Sequence, residues 1–241
     1  MFCMAYLTLW LICHPLIVIT IMNKTIDTII VAAGSGSRLG FSIPKAFVPL
    51  AGKPLLSWSL DTFLQHSCIR KVILVVPQPM LDETVSKFGS PRVTCVVGGT
   101  ERWESVRNGI IASDAGYVMI HDAARPFVTA GVIDSILDKS SHSECIFTAT
   151  PVVDTIRKYT NDTAGETINR EELVRVGTPQ FFRRSALSKA FQSIKPGDAL
   201  PTDEVMLMQK NGHTATIAWG DPNNFKITTI EDLRLAEALK K

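Results

Sequence analysis

The sequence predicts an α/β fold with a mostly parallel sheet flanked by helices, and three observations carry that expectation. Short runs rich in β-branched residues recur at 28–33, 71–76, 93–97, 117–121 and 145–150. Segments of helical period lie between them, notably 55–66, 102–112 and 132–140. The run Val72-Ile73-Leu74-Val75-Val76 shows no polar alternation, as expected of a strand covered on both faces. In such a sheet, ligand-binding loops belong at the C-terminal ends of the strands.

Composition bounds the classes. With 241 residues, 46% hydrophobic and 20% charged, the chain is neither disordered, collagen-like nor a disulfide scaffold, and a second full enzyme module does not fit. A net charge of +2, from 25 basic and 23 acidic residues, gives no field of one sign to recruit nucleic acid or an anionic membrane. Any anion site is therefore local. Cys3, Cys13, Cys68, Cys95 and Cys145 are scattered without a C-x-x-C pair, which argues against a disulfide framework or a structural zinc site and for buried thiols in a reducing compartment.

Residues 1–22 form an apolar N-terminal extension without a single Lys, Arg, Asp or Glu. The uncharged start and the internal His14-Pro15 make it a poor secretory signal. It is either a start-site artefact, with Met22 the working start, or an anchor whose flanking Lys24 keeps the rest inside. Both place the remainder, a single domain over 23–241, in the cytoplasm, with membrane contact only if 1–22 is retained.

After Pro151 a charged, turn-rich stretch over about 152–175, centred on Asn161-Asp162-Thr163-Ala164-Gly165, predicts a hairpin excursion. It is either surface decoration or an arm gripping a second subunit. Helices are expected at 184–192 and 203–211, a strand at 213–218, and a last helix from Glu231, with Thr229 and Asp232 as its start signal.

Several constellations carry chemistry. Gly34-Ser35-Gly36-Ser37-Arg38 follows the first strand and precedes Pro44-Lys45. Phe41 and Leu39 stand where a P-loop needs Lys and a dinucleotide fingerprint needs Gly, so both familiar phosphate motifs fail. What remains is a small-residue loop with two cations, Arg38 and Lys45, able to fold over a triphosphate. His121-Asp122-Ala123-Ala124-Arg125-Pro126 puts a carboxylate at a strand's C-terminal end, suited to a ribose hydroxyl or a metal-bound water, with Arg125 a fork for a phosphate monoester and His121 a packing residue. Gly98-Gly99-Thr100-Glu101-Arg102 leads to Ser105 at a helix start, where simple capping explains the serine about as well as ligand binding. Gly177-Thr178-Pro179-Gln180, Pro201-Thr202-Asp203-Glu204 and Asn224-Phe225-Lys226 each present a hydroxyl or cation where a strand or loop meets a helix, with Thr202 a good N-cap.

In order, Gly-x-Gly-x-Arg with Pro-Lys, Gly-Gly-x-x-Arg-x-x-Ser-Val, His-Asp-Ala-Ala-Arg-Pro, Asp-Thr, Thr-Pro-Gln-x-Phe, Thr-Asp-Glu and Asn-x-Lys-Ile-Thr resemble the 2-C-methyl-D-erythritol 4-phosphate cytidylyltransferase family, over Thr25 to Lys240. The resemblance implies a Rossmann-like nucleotidyltransferase fold, with the protruding β-hairpin as a dimerisation arm. It implies reaction of CTP with methylerythritol 4-phosphate, giving the CDP-linked alcohol and pyrophosphate, in non-mevalonate isoprenoid synthesis. Mg²⁺ is the implied cofactor, bound through the triphosphate without direct protein ligands, and a homodimer the implied assembly. By resemblance Arg38 and Lys45 hold the triphosphate, while Lys226 and the partner's arm Arg170 orient the substrate phosphate. Ala32, Ala33, Gly34, Gly36, Gly99, Thr100 and Ser105 fall on the nucleotide side with Asp122 near the sugar, and Arg125, Thr155, Thr178 and Thr202 on the polyol phosphate side. Thr100 and Asn169 depart from positions that are often acidic in the family.

The residue chemistry agrees. A phosphate monoester with a second pKa near about 6 is already largely dianionic at neutral pH and can attack phosphorus without a protein base. Alignment of two anions and neutralisation of the leaving pyrophosphate are work for Arg, Lys and Mg²⁺. The rival readings are a ribitol 5-phosphate cytidylyltransferase and a decayed, membrane-attached nucleotide-binding protein.

Overall fold

The computed structural model describes residues 24–34, 40–195, 197–198 and 201–240; the apolar segment 1–22, Gly36 and Arg38 lie outside the described residues. The β-branched runs form β1 (Ile26–Val31), β4 (Ile69–Val76), β5 (Val93–Val97), β6 (Tyr117–Asp122) and β7 (Cys145–Pro151). A small ribbon, β2 (Pro49–Leu50) and β3 (Lys53–Pro54), leads into α1 (Leu55–Gln65). The helices α2 (Leu81–Phe88), α3 (Arg102–Ile111) and α4 (Ala130–Leu137) separate the strands that follow. The second half adds the hairpin β8 (Ile156–Thr160) and β9 (Thr163–Ile168), then β10 (Val174–Arg183), α5 (Arg184–Gln192), α6 (Glu204–Lys210), β11 (Thr216–Trp219) and α7 (Ile230–Leu239).

The main sheet has seven strands in the order β11-β7-β10-β6-β1-β4-β5. Its pairs are parallel except those of β10, which runs antiparallel between β6 and β7. The sheet is thus mostly parallel, as expected, but the stretch read as a strand or loop meeting a helix at Thr178 is an inner strand. Gly177 and Pro179 interrupt its pattern, and its register to β7 shifts between Val176 and Gln180.

Helices cover both faces. Val72, Leu74 and Val76 of β4 point toward Leu56, Leu60 and Phe63 of α1, whereas Ile73 and Val75 join Val106 and Ile110 of α3 and Leu187 of α5. That two-sided burial explains the unbroken apolar run. Leu233 and Ala236 of α7 close a third cluster with Val48, Leu50, Leu55 and Ile227. The close approach of α3 requires Gly109, where a Cβ would lie 2.5 Å from Ile29 Cγ2 and 3.1 Å from Val75 Cγ2. Gly109→Ala is therefore expected to destabilise the fold by about 1–3 kcal/mol despite alanine's better helix propensity. A urea midpoint at or above that of the parent would refute this packing.

Asn161 and Asp162 turn the β8–β9 hairpin with φ of 47° and 62°, the left-handed pair that a two-residue hairpin turn demands. The α7 start has the anticipated capping box between Thr229 and Asp232. At α6 the cap is Asp203, which accepts from the Met206 amide at 2.8 Å, and not Thr202, whose hydroxyl meets Met206 Sδ at 3.6 Å. Among the described residues no helix is long and apolar enough to cross a membrane.

Candidate active site

Two neighbouring cavities open at the C-terminal end of the sheet. The first is lined by Ala32, Ala33 and Gly34 after β1, by Gly99, Thr100 and Ser105 around the start of α3, and by Lys45, Arg102, Asp122 and Lys226. The second is lined by Arg125, Thr148, Arg175, Gly177, Asn224 and again Lys226.

The first cavity owes its shape to short backbone approaches. Ala32 donates its amide to Val75 O at 2.8 Å, continuing the sheet one residue past β1, and Gly98 does the same to Val76 O at 2.8 Å. A Cβ on Gly98 would collide with Ala33 and come within 2.7 Å of Ser105 Oγ, so only glycine brings the two loops this close. Ser105 is not the helix cap, contrary to the capping reading. Glu101 caps α3 in a reciprocal box with Glu104. Ser105 Oγ instead accepts from the Gly99 amide at 3.1 Å and faces Glu101 O at 3.3 Å, which freezes the glycine loop over the cavity. Lys45 starts a short 3₁₀ turn after Pro44 and donates to Ile227 O at 3.0 Å, which ties the lysine to the segment carrying Lys226.

Asp122 ends β6 and is the charged centre of the site. Its Oδ1 lies 3.3 Å from both Nε and Nη2 of Arg102, and its Oδ2 accepts from Lys226 Nζ at 2.8 Å. Arg125 Nε is farther, at 3.9 Å from Oδ2, so the Asp122–Arg125 brace is the weakest of these contacts. Burial alone would push the Asp122 carboxyl up, but Arg102, Lys226 and Arg125 outweigh it and hold it far below the usual carboxylate range. Arg125 is held by Asn224 O at 3.0 Å, while burial pulls its guanidinium below the ordinary arginine range against the pull of Asp122.

His121 is fully buried, with Nε2 3.0 Å from Arg125 O and Nδ1 3.1 Å from Thr178 Oγ1. Desolvation lowers its pKa to about 4, so it stays neutral through the physiological range, and both its ring nitrogens are engaged within the protein. A neutral buried histidine makes the unfolded state bind more protons below its usual value of 6.5. Stability is full above that pH and falls as pH drops toward about 4, by up to about 3 kcal/mol. Urea midpoints across this window should fall more steeply for the parent than for His121→Gln; parallel curves would refute the assignment.

The described members of the nucleotide set, with Lys45 and Lys226, are brought together on the first cavity, and Arg125 with Lys226 on the second. Thr178 lines neither. Its buried hydroxyl accepts from the Asp122 amide at 3.1 Å and meets His121, so it braces the end of β6 from behind. Thr202 and Thr155 are exposed and line neither cavity. Arg170 is exposed at the base of the hairpin, donating to Val153 O at 2.6 Å, and Asn169 caps its turn by accepting from the Glu171 amide. Two residues without an assigned role prove prominent: Arg102, whose Nη1 lies 2.7 and 2.9 Å from the oxygens of buried Glu204, and Arg175 on the second cavity. Arg102 stood in the Gly-Gly-x-x-Arg motif, but nothing local pointed to its partner.

Residues 26–241 match the 2-C-methyl-D-erythritol 4-phosphate cytidylyltransferase family. The enzyme of that name from Alkaliphilus oremlandii is 36% identical over 229 residues, covering 91% of this chain and 96% of the relative. That from Halalkalibacterium halodurans is 37% identical, covering 88% and 96%. The solved 4-diphosphocytidyl-2C-methyl-D-erythritol synthase of Anaerococcus prevotii superposes with a TM-score of 0.80 at 27% identity, over 92% of this chain and 98% of that one. The Thermus thermophilus cytidylyltransferase does so at 0.75 and 29%, over 89% and 98%. The sheet order, the paired cavities and these likenesses agree: the chain belongs to the 2-C-methyl-D-erythritol 4-phosphate cytidylyltransferase family of nucleotidyltransferases.

Proposed function

We propose that this chain transfers the cytidylyl group of CTP to 2-C-methyl-D-erythritol 4-phosphate, releasing pyrophosphate, as a step of non-mevalonate isoprenoid precursor synthesis. The observation that carries the reading is that Lys226 lines both cavities, so one cation faces a ligand in each. The first cavity takes CTP, with Ala32, Ala33, Gly34, Gly99, Thr100 and Ser105 around the base and Asp122 toward the sugar. Lys45, with Gly36 and Arg38 of the preceding loop, takes the triphosphate. The second cavity takes the polyol phosphate against Arg125 and Lys226, with Thr178 acting through Asp122.

An oxygen of the substrate phosphate forms a bond to the α-phosphorus as the bond from that phosphorus to the β-phosphate oxygen breaks. Pyrophosphate leaves with the electron pair. No protein base is required, because the attacking phosphate is already ionised. Lys226 draws the two repelling phosphates together, and Lys45 neutralises charge on the departing pyrophosphate. Among the described residues no group of three or more His, Cys, Asp or Glu is placed to hold a metal. As the family resemblance implies, Mg²⁺ would be carried by the triphosphate oxygens, where it would supply further neutralisation.

The working form is a homodimer joined through the hairpin. Its strands are exposed along almost their whole length, and a lone two-stranded hairpin is marginal in water. Val153, Tyr159 and Val176 are exposed apolar residues in and beside it. Thr155 and Arg170 sit there away from their own subunit's cavities, available to a partner's second cavity. The reaction belongs to the cytoplasm on this reading, consistent with Cys68, Cys95 and Cys145 as free thiols.

The test is pyrophosphate release with CTP and Mg²⁺, offering methylerythritol 4-phosphate or ribitol 5-phosphate to a chain begun at Met22. Turnover confined to the methylerythritol substrate is expected. Turnover with ribitol 5-phosphate alone would move the chain to that substrate, and none with either would overturn the reading.

A further inference from the structure

We infer that Glu204 is a positioning residue: from outside both cavities it holds Arg102 against the wall of the first, and so fixes how Asp122 is shared between Arg102 and Lys226. The inference rests on the first cavity being the nucleotide cavity. Glu204 opens α6 and is only 2% exposed, 102 residues from Arg102 in sequence. It lines neither cavity.

Both Glu204 oxygens engage one nitrogen of Arg102, Nη1, at 2.7 and 2.9 Å. The other two nitrogens turn to Asp122 at the longer distance of 3.3 Å. The guanidinium is thus committed first to Glu204. Asp122 keeps its second oxygen for Lys226 at 2.8 Å. The result is an alternating series of charges, Glu204, Arg102, Asp122 and Lys226, running from the buried start of α6 to the junction of the two cavities. The acidic groups acting on Glu204 are Asp122 from β6 and Asp203 at its own helix cap, and Arg102 from α3 is the cation that answers them.

A stability role alone does not account for this arrangement. A buried ion pair is commonly no more stabilising than apolar side chains of the same volume. Retaining one here does what an apolar pair cannot. It sets the direction of a guanidinium that faces a ligand cavity, and it keeps that guanidinium from taking both oxygens of Asp122. Without the Glu204 charge, Arg102 would turn fully to Asp122, withdrawing from the nucleotide and competing with Lys226.

The test compares Glu204→Gln, Arg102→Lys and the double variant by CTP titration calorimetry and by initial rates with methylerythritol 4-phosphate, with melting midpoints alongside. Glu204→Gln keeps the side-chain shape, and is expected to raise the Kd and KM for CTP about tenfold. The KM for the polyol phosphate should change less than about threefold, because Lys226 and Arg125 remain. In the Arg102→Lys background, where no fork is left to aim, the same change should add almost nothing. CTP affinity equal to that of the parent would overturn the inference. So would a loss of equal size with and without Arg102, which would mark a merely structural effect. Failure of the proposed reaction appears separately, as absence of turnover in the unsubstituted enzyme.

Discussion

Lys226→Ala is expected to lower kcat/KM for the polyol phosphate by about 10²-fold or more, while the protein stays folded. Among the described residues Lys226 alone lines both cavities, and its Nζ sits 2.8 Å from Asp122 Oδ2. In the resting enzyme it partners a carboxylate. On the proposed mechanism, its remaining hydrogens meet the attacking phosphate and offset the repulsion between two anions brought into contact. Its removal withdraws that attraction and leaves Asp122 to repel the incoming phosphate. Arg102 and Arg125 still face Asp122, so the buried carboxylate does not become an uncompensated charge. Steady-state kinetics with a melting curve checks both parts. A loss below about threefold would remove Lys226 from the mechanism.

Lys45→Ala is the second large effect, and its expected signature differs. Lys45 lines only the first cavity, and the hydrogen bond of its ammonium to Ile227 O holds it beside the segment bearing Lys226. On the proposed mechanism, charge builds on the leaving pyrophosphate as the bond between the α-phosphorus and the β-phosphate oxygen breaks, which would place the action of Lys45 mainly in the transition state. The expected loss is about 10²–10³-fold in kcat, with the KM for the polyol phosphate little altered. Lys45→Arg should restore only part of the rate, because a planar fork does not replace a compact ammonium at one oxygen. An unchanged kcat with a raised KM for CTP would assign Lys45 to ground-state binding instead.

How much was legible in the sequence followed from how local each signal was. The buried parallel strands were readable because burial on both faces leaves an unbroken apolar run, as in Val72 to Val76. The hairpin was readable from Asn161-Asp162, whose conformations its turn requires. Strand β10 was not, because Gly177 and Pro179 break the pattern that marks a strand, and its partners are supplied by tertiary pairing. Helix α2 was also missed, since it buries little beyond Thr84 and presents a largely exposed face.

The same division applies to the site. The glycine loops and Asp122 announce themselves by residue type and by their position after strands. Thr178 and Thr202 carried the same kind of signal, yet one turns inward to His121 and the other yields the helix cap to Asp203. Arg102 and Glu204 form the tightest buried ion pair of the site, but no local spacing links residues so far apart in the chain. Arg170 and Thr155 have no role within a single subunit that their surroundings would reveal.

On the proposed mechanism the substrate phosphate attacks the α-phosphorus directly, with cations rather than a nucleophilic side chain assisting. The stereochemical course at that phosphorus, followed with methylerythritol 4-phosphate and CTP made chiral there by sulfur substitution, separates this route from one through a covalent intermediate. A single in-line displacement inverts the configuration, and inversion is the result expected. Retention would require two displacements through a cytidylylated side chain, and would contradict the account.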